Sequence, residues 1–411
     1  MRLITRIGAL VAVLALFVAA CGGEGDSPAS APGTQAPADE SPALGATPDD
    51  PAETTANDEP VDGDVAASCG GSQEWDALVA AAQEEGEVVL NGPATAAVRE
   101  TLPPAFEEEF GIQMSYDGGR SSEVASRMTA ERAAGIHSTD VFLGGAGTMY
   151  RTFYGEGMIA DLRQLLVGDE IYQDENWAVG SVPFQDPEET YILRISDYES
   201  PAVMVNTDSE ASDVTTWQEL LEPSLKGQIV ILDPRESGGG NNASALLMET
   251  FGEEFVRELY VGQEPTIVTD DRQAVDDLAR GRYSVGIALQ NQQGDEAIEQ
   301  GLPIAYVSPT DAPAPRTAGY GLMAVSEPAA HPNAAALLAN WLACPEGNKL
   351  WTESQNYPSA RADVELEDPP PYVAERVIEP GREYFDNFGY EFRTTTFLEV
   401  EEYMIELLGE R

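Results

Sequence analysis

The side chains in this sequence best able to hold another molecule are arginines, hydroxyls and amides set among glycines. Arg120-Ser121-Ser122 follows Asp117-Gly118-Gly119, and Arg235-Glu236-Ser237-Gly238-Gly239-Gly240 follows Asp233-Pro234. Arg316 and Tyr320 form a third such place. Thr95 and Tyr198 add hydroxyls, Gln290 and Asn291 add amides, and Gly145 and Ala146 leave backbone open. Guanidiniums and free N–H groups at helix starts are the chemistry of oxyanion binding. A catalytic set is absent. The only histidines are His137 and His331, and there is no Gly-x-Ser-x-Gly, His-Glu-x-x-His or Gly-x-x-x-x-Gly-Lys motif. The sequence therefore predicts a ligand-binding protein, not an enzyme, with no catalytic residue, metal ligand or cofactor. Each candidate also has a plainer reading. Ser121 or Ser122 serves as an N-cap, Arg120 pairs with a surface acid, the glycines serve a turn, and Tyr198 and Tyr320 pack a hinge. His331, ahead of Pro332-Asn333, reads as a helix cap.

These residues fall at the ends of an alternating α/β pattern. Trp75, Leu78, Val79 and Ala82 recur at helical spacing, and Gly86 stops them. Glu87-Val88-Val89-Leu90 reads as a buried strand, and Val98, Leu102, Phe106 and Phe110 as the next helix. A strand over 112–116, a helix over 121–134 and a strand over 140–143 continue the pattern. Such alternation predicts a largely parallel sheet covered by helices, with ligands at the carboxyl ends of its strands. Those ends are the loops 91–95, 117–122 and 144–148. From 201 a second set begins, with strands at 201–207, 228–234, 283–289 and 304–308, and helices from about 243 and over 274–281. A strand over 319–325 returns the chain. The tail reads as helices over 372–378 and 397–408. The expected organisation is α/β with two lobes, 74–200 plus 316–411 and 201–315. They are joined by crossings near 199–207 and 308–320 around a central cleft.

Composition narrows the partners. A formal net charge of −50, with Lys226 and Lys349 the only lysines, excludes nucleic acid, which needs clustered cations. Residues 22–73 contain no aromatic residue and no Lys or Arg. Such a segment cannot bury enough apolar surface to order itself, and it reads as a tether about 40 Å long as a random coil.

Ahead of the tether, Arg2 and Arg6 precede an apolar run over 7–20, the layout of a signal peptide. Val18-Ala19-Ala20-Cys21 resembles the bacterial lipobox. That resemblance implies cleavage before Cys21 and lipid on its thiol, hence a signal over 1–20, a lipid-anchored linker over 21–73, and a cell-envelope protein held on the extracytoplasmic face. Cys69 and Cys344 then remain as an even pair, joined in a disulfide or left as two thiols.

Five further stretches occur in one order: Trp75…Glu85-Gly86-Glu87-Val88-Val89, Arg127…Glu131-Arg132…Gly135…Asp140-Val141, Val205-Asn206-Thr207, Lys226-Gly227-Gln228-Ile229…Asp233-Pro234, and His331-Pro332-Asn333-Ala334-Ala335…Trp341-Leu342…Glu346-Gly347. Together they resemble the iron(III)-type branch of bacterial extracellular solute-binding proteins of ABC importers. The resemblance implies a type II periplasmic-binding-protein-like fold, a small-molecule ligand, an ABC permease as partner and a monomer. Iron-binding members use adjacent tyrosines after a second-lobe strand. The matching stretch here is Gln290-Asn291-Gln292-Gln293, and loops 91–95 and 144–147 add no phenol, imidazole or carboxylate. An organic anion or zwitterion is thus the expected ligand and ferric iron the alternative. An envelope-anchored enzyme on the same fold is the reading of a different class.

Overall fold

The computed structural model describes residues 69–235, 238–379 and 381–409. The signal peptide, Cys21, nearly all of the tether and Ser237 lie outside them. In chain order the described strands are β1 (Glu87–Gly92), β2 (Gln113–Gly118), β3 (Val141–Gly144), β4 (Leu193–Arg194), β5 (Tyr198–Glu199), β6 (Val203–Asn206), β7 (Ile229–Leu232), β8 (Thr266–Val268), β9 (Val285–Ile287), β10 (Ile304–Val307), β11 (Ala314–Thr317), β12 (Leu322–Val325) and β13 (Tyr384–Asp386).

They form two five-stranded sheets and a small third one. The first sheet runs β2-β1-β3-β12-β4 and the second β10-β6-β9-β7-β8. In each, a parallel core meets a strand of opposite sense. β12 is antiparallel to β3 and β4, and β6 is antiparallel to β9 and β10. The helices follow from local sequence. Ser72 caps Gln73–Glu85 by accepting from the Trp75 N–H at 3.0 Å, and Gly86 ends it with φ 76°. Val98, Leu102, Phe106 and Phe110 bury one stripe of Ala96–Phe110, against Trp341 of Pro332–Ala343. Gly240 shows what the glycine run is for. A Cβ there would lie 2.3 Å from the Leu232 carbonyl oxygen, so only glycine lets Gly239–Phe251 start against the end of β7.

The third sheet, β13-β11-β5, is the hinge. β5 and β11 are the two crossings between the lobes and pair antiparallel, Glu199 opposite Arg316 and Tyr198 opposite Thr317. β13 comes from the tail and pairs parallel with β11, Ala314 opposite Tyr384. Beside this sheet lies a buried ion network. Arg194, its side chain fully buried, donates to Asp197 at 3.0 Å and to both Asp386 oxygens at 2.8 and 3.0 Å. The Arg316 Nε reaches Asp197 at 2.7 Å.

The tail departs from expectation. Only Pro371–Ala374 is helical in the stretch expected to be a helix over 372–378, and β13 was not foreseen. Phe397–Leu408 forms as expected, but Phe397, Val400 and Met404 bury its apolar side in the core of the second lobe, against Gly239–Phe251. The grouping of all of 316–411 with the first lobe is corrected accordingly. His331 does not cap with its side chain. Its ring lies between Asp140 at 2.9 Å and Glu87 at 3.1 Å, while Glu85 accepts the first free amides of the helix, from Asn333 and Ala334.

Cys69 and Cys344 are joined in a disulfide with Cα atoms 5.9 Å apart, closing 275 residues of chain. Among the described residues no helix is long and apolar enough to cross a membrane.

Candidate functional site

Between the lobes lies a cavity of about 550 Å3. Thr95 enters it from the first lobe, ahead of Ala96–Phe110. Gly239 and Asn242 enter from the start of Gly239–Phe251, and Gln290, Asn291 and Gln292 from the start of Asn291–Glu299. The hinge supplies Tyr198, Ser200, Thr317 and Tyr320, and the tail Tyr372, Arg376 and Asn387. Three helices from both lobes thus begin at this cavity. Thr95, Gly238 and Gln290 occupy their N-cap positions, and none of the three caps with its side chain. By contrast Ser72 caps Gln73–Glu85 and Asp270 caps Asp271–Ala279. A helix start carries N–H groups without intrahelical partners and a partial positive charge, which suits an oxyanion.

The cavity also carries acids. Asp295, Glu296 and Glu299 line it from the helix that starts at Gln290 and Asn291. Arg376, nearly inaccessible, grips Asp295 through two hydrogen bonds of 2.6 and 3.1 Å and lies over the rings of Tyr306 and Tyr372. Burial opposes the charge on Arg376, but Asp295 outweighs it and holds the guanidinium above its ordinary value. Tyr198 stacks on Tyr357 with centroids 4.6 Å apart. Burial, with Tyr357 beside it, holds the Tyr198 phenol well above its ordinary value, and burial likewise raises Tyr357. Both are neutral phenols at physiological pH. Among the described residues no three His, Cys, Asp or Glu side chains converge to hold a metal ion.

Of the positions expected from sequence, Thr95, Tyr198, Gln290, Asn291 and Tyr320 come together here. Asn291 also donates to the Ser200 hydroxyl at 3.1 Å. Gly145 and Ala146 open the short turn Ala146–Thr148 outside the cavity lining. Arg120, not a serine, takes the N-cap position of Ser121–Ala133; it is exposed, and Ser121 and Ser122 start the helix beside it, away from the lining. Arg235 faces Asp233 at 2.9 and 2.7 Å and donates to the Gly409 carbonyl at 2.9 Å. Arg316 is held in the hinge network. Gly239 and Asn242 belong to the glycine-rich stretch that the sequence singled out after the second-lobe strand, while sequence reasoning missed Asp295, Tyr357, Tyr372, Arg376 and Asn387. The glycine run places the helix start at 239, four residues ahead of the expected 243.

The sequence model of the family described as bacterial extracellular solute-binding protein matches residues 104–376. An uncharacterized protein of Haemophilus influenzae is 27% identical over 303 residues, covering 68% of this chain and 80% of its own. Among solved structures, a putative extracellular solute-binding protein from Bordetella parapertussis is similar with a TM-score of 0.62 and 16% identity, over 80% of this chain and 99% of its own. The periplasmic binding protein AfuA from Actinobacillus pleuropneumoniae, with exogenous fructose-6-phosphate bound, gives 0.55 and 17% over 80% and 100%. Iron-bound HitA from Pseudomonas aeruginosa gives 0.55 and 18% over 77% and 99%. These likenesses show the type II two-lobe fold with its central cleft and two hinge crossings.

Proposed function

Because this chain belongs to the bacterial extracellular solute-binding protein family, we propose that it captures a small organic zwitterion or oxyanion-bearing solute in the interlobe cleft and delivers it to an ABC import permease. The observation that carries this reading is the cavity itself, lined by three helix starts lacking side-chain caps and by Asp295, Glu296 and Glu299 of one of the same helices. An oxyanion suits the helix starts. An ammonium or hydroxyl group suits the carboxylates, and a bare polyanion suits them poorly. Backbone amides therefore replace the arginines Arg120, Arg235 and Arg316 as the expected anion contacts. The fructose-6-phosphate in AfuA is an oxyanion on a donor-rich body held in the same fold.

Ferric iron is the second candidate, because HitA carries iron. Ferric iron needs anionic oxygen ligands, and neutral, buried Tyr198 and Tyr357 resist becoming phenolates. A thermal-shift screen of amino acids, sugar acids, sugar phosphates and ferric citrate decides between them. A solute at a hundred times its Kd stabilises by about 2.7 kcal/mol. The expected result is a shift with one zwitterionic or oxyanion-bearing class. A shift with ferric iron alone would overturn the assignment.

The family is extracellular, so the chain works outside the cytoplasm. In this reading Cys21 carries the lipid that holds it, 21–73 is the tether, and the lobes act as one monomer beside the permease. Cys21→Ser is expected to release the chain from washed membranes into the soluble fraction. Retention at the wild-type level would remove the anchor from the scheme.

A further inference from the structure

Acids answer the buried arginines of this chain, with one exception. Arg194, Arg361, Arg376 and Arg393 are each at most 6% exposed. Arg194 grips Asp197 and Asp386, Arg361 grips Asp363, and Arg376 grips Asp295. Among the described residues no carboxylate pairs with Arg393 and no atom accepts a hydrogen bond from its side chain. Its Nε is sealed from solvent, and its two terminal nitrogens are not. Phe388, Phe392 and Phe397 surround the guanidinium, with ring centroids 5.2, 5.4 and 5.4 Å from Cζ. Rings attract the faces of a guanidinium, but its five N–H bonds lie in its plane and require acceptors. Burial, with Arg151 nearby, pulls the group down to about 10 against Tyr150 and Asp386, and it stays charged at neutral pH. A buried charge without a counter-ion is strongly unfavourable.

The surroundings leave room for an anion and supply none. Arg393 lies in Phe392–Thr396, which packs against Met149–Tyr154 of the first lobe. Both segments are π-helical, a rare form that recurs at functional sites. Met149–Tyr154 carries Arg151, which is exposed and has its guanidinium 5.9 Å from the same Phe397 ring. Arg151 donates from Nε to the Gly147 carbonyl at 3.3 Å and has no acid partner among the described residues. Asp386, the acid whose charge reaches Arg393, is already held by Arg194 through both oxygens.

We propose that Arg393 and Arg151 form an oxyanion-binding site at the seam between the first lobe and the tail, for a carboxylate or phosphate group held by the terminal nitrogens of Arg393. Neither arginine lines the interlobe cavity, so the site is additional to the one described above and does not rest on the solute assigned there. The tail joins the two places. Asn387 of the same segment lines the cavity, and the Phe397 carbonyl accepts from Asn241 of Gly239–Phe251 at 3.5 Å. The oxyanion comes free from solution or as one end of an organic solute.

The test follows the melting temperature of the wild-type chain with inorganic phosphate, acetate and fructose 6-phosphate, each against sodium chloride at equal ionic strength. A saturable rise is expected with at least one of them. A rise with inorganic phosphate or acetate assigns the site to a free anion, and a rise with fructose 6-phosphate alone assigns it to the oxyanion of an organic solute. Arg393→Met keeps side-chain bulk among the three rings and is expected to bind the responding compound at least tenfold more weakly. Arg151→Glu, a change at an exposed position, sets a carboxylate beside Arg393 and is expected to abolish the rise; it decides the matter should Arg393→Met fail to fold. No saturable rise with any of the three compounds in the wild-type chain would overturn the proposal. A rise that saturates at the wild-type concentration in Arg151→Glu would overturn it too, because the compound then binds elsewhere, and the functional reading would stand.

Discussion

Asp197→Ala is expected to lower the unfolding free energy by about 3–5 kcal/mol, read as a lower urea midpoint with an unchanged m-value. Asp197 has a fully buried side chain and answers two guanidiniums, Arg194 at 3.0 Å and Arg316 at 2.7 Å. Removing it leaves Arg194 buried with Asp386 as its remaining acid partner and deprives Arg316 of its short contacts. A drop below about 1 kcal/mol, the range of exposed pairs, would mean that the network is solvated and does not hold the hinge. The same network sets a pH dependence. Burial alone would raise the Asp386 carboxyl, but Arg194 and Arg316 outweigh it and hold the group below its ordinary value. A depressed carboxyl contributes stability above its unfolded value, and that stability is lost as pH falls through the folded one. The wild-type chain should therefore weaken in acid more steeply than Asp386→Asn, which lacks that carboxyl.

The second large effect is expected from the disulfide. Cys69–Cys344 ties the segment ahead of Gln73–Glu85 to the end of Pro332–Ala343, across 275 residues. In the chain-entropy account, closing so long a loop stabilises by about 5 kcal/mol. Cys344→Ser, compared with wild type in thermal denaturation, should lose a large part of this. Adding reductant should lower the wild-type midpoint and leave the variant unchanged. If both respond equally to reductant, the bond does not bear on stability. The sulfur of Cys69 also lies where a Cβ on Gly168 would come within 3.2 Å, so the bridge is packed into the first-lobe core and not hung outside it.

Most of the scaffold was legible because its signals are local. Val98, Leu102, Phe106 and Phe110 mark a helix by spacing alone, Gly86 and Gly111 end helices with positive φ, and the alternation through 143 implies the parallel part of the first sheet. The cleft was half legible for the same reason. Thr95, Gln290 and Asn291 sit where strands end and helices start, which sequence can place. The tail was not legible. β13 is three residues long, without the apolar alternation of a strand, and exists because β11 offers it an edge. Asn387 directly follows β13, and the Arg376 carbonyl accepts from the Glu199 N–H of β5 at 2.8 Å, so both reach the cavity through pairings distant in sequence. The arginines misled for an electrostatic reason. In a chain of net charge −50 an arginine is surrounded by acids, so Arg235 and Arg316 are engaged by Asp233 and Asp197 before any ligand arrives.

The hinge sheet has a consequence for how the chain acquires its structure. Its strands come from 198–199, 314–317 and 384–386, so each pairing closes more than sixty residues of intervening chain. Contacts this distant in sequence form slowly, since loop closure is opposed before any pairing rewards it. The first sheet can begin from β1, β2 and β3, which are close neighbours in sequence, but the hinge waits for the tail. A refolding experiment should therefore show the helices of the first lobe protected from hydrogen exchange before the amides of β11, and the cleft competent to bind only after that slower event.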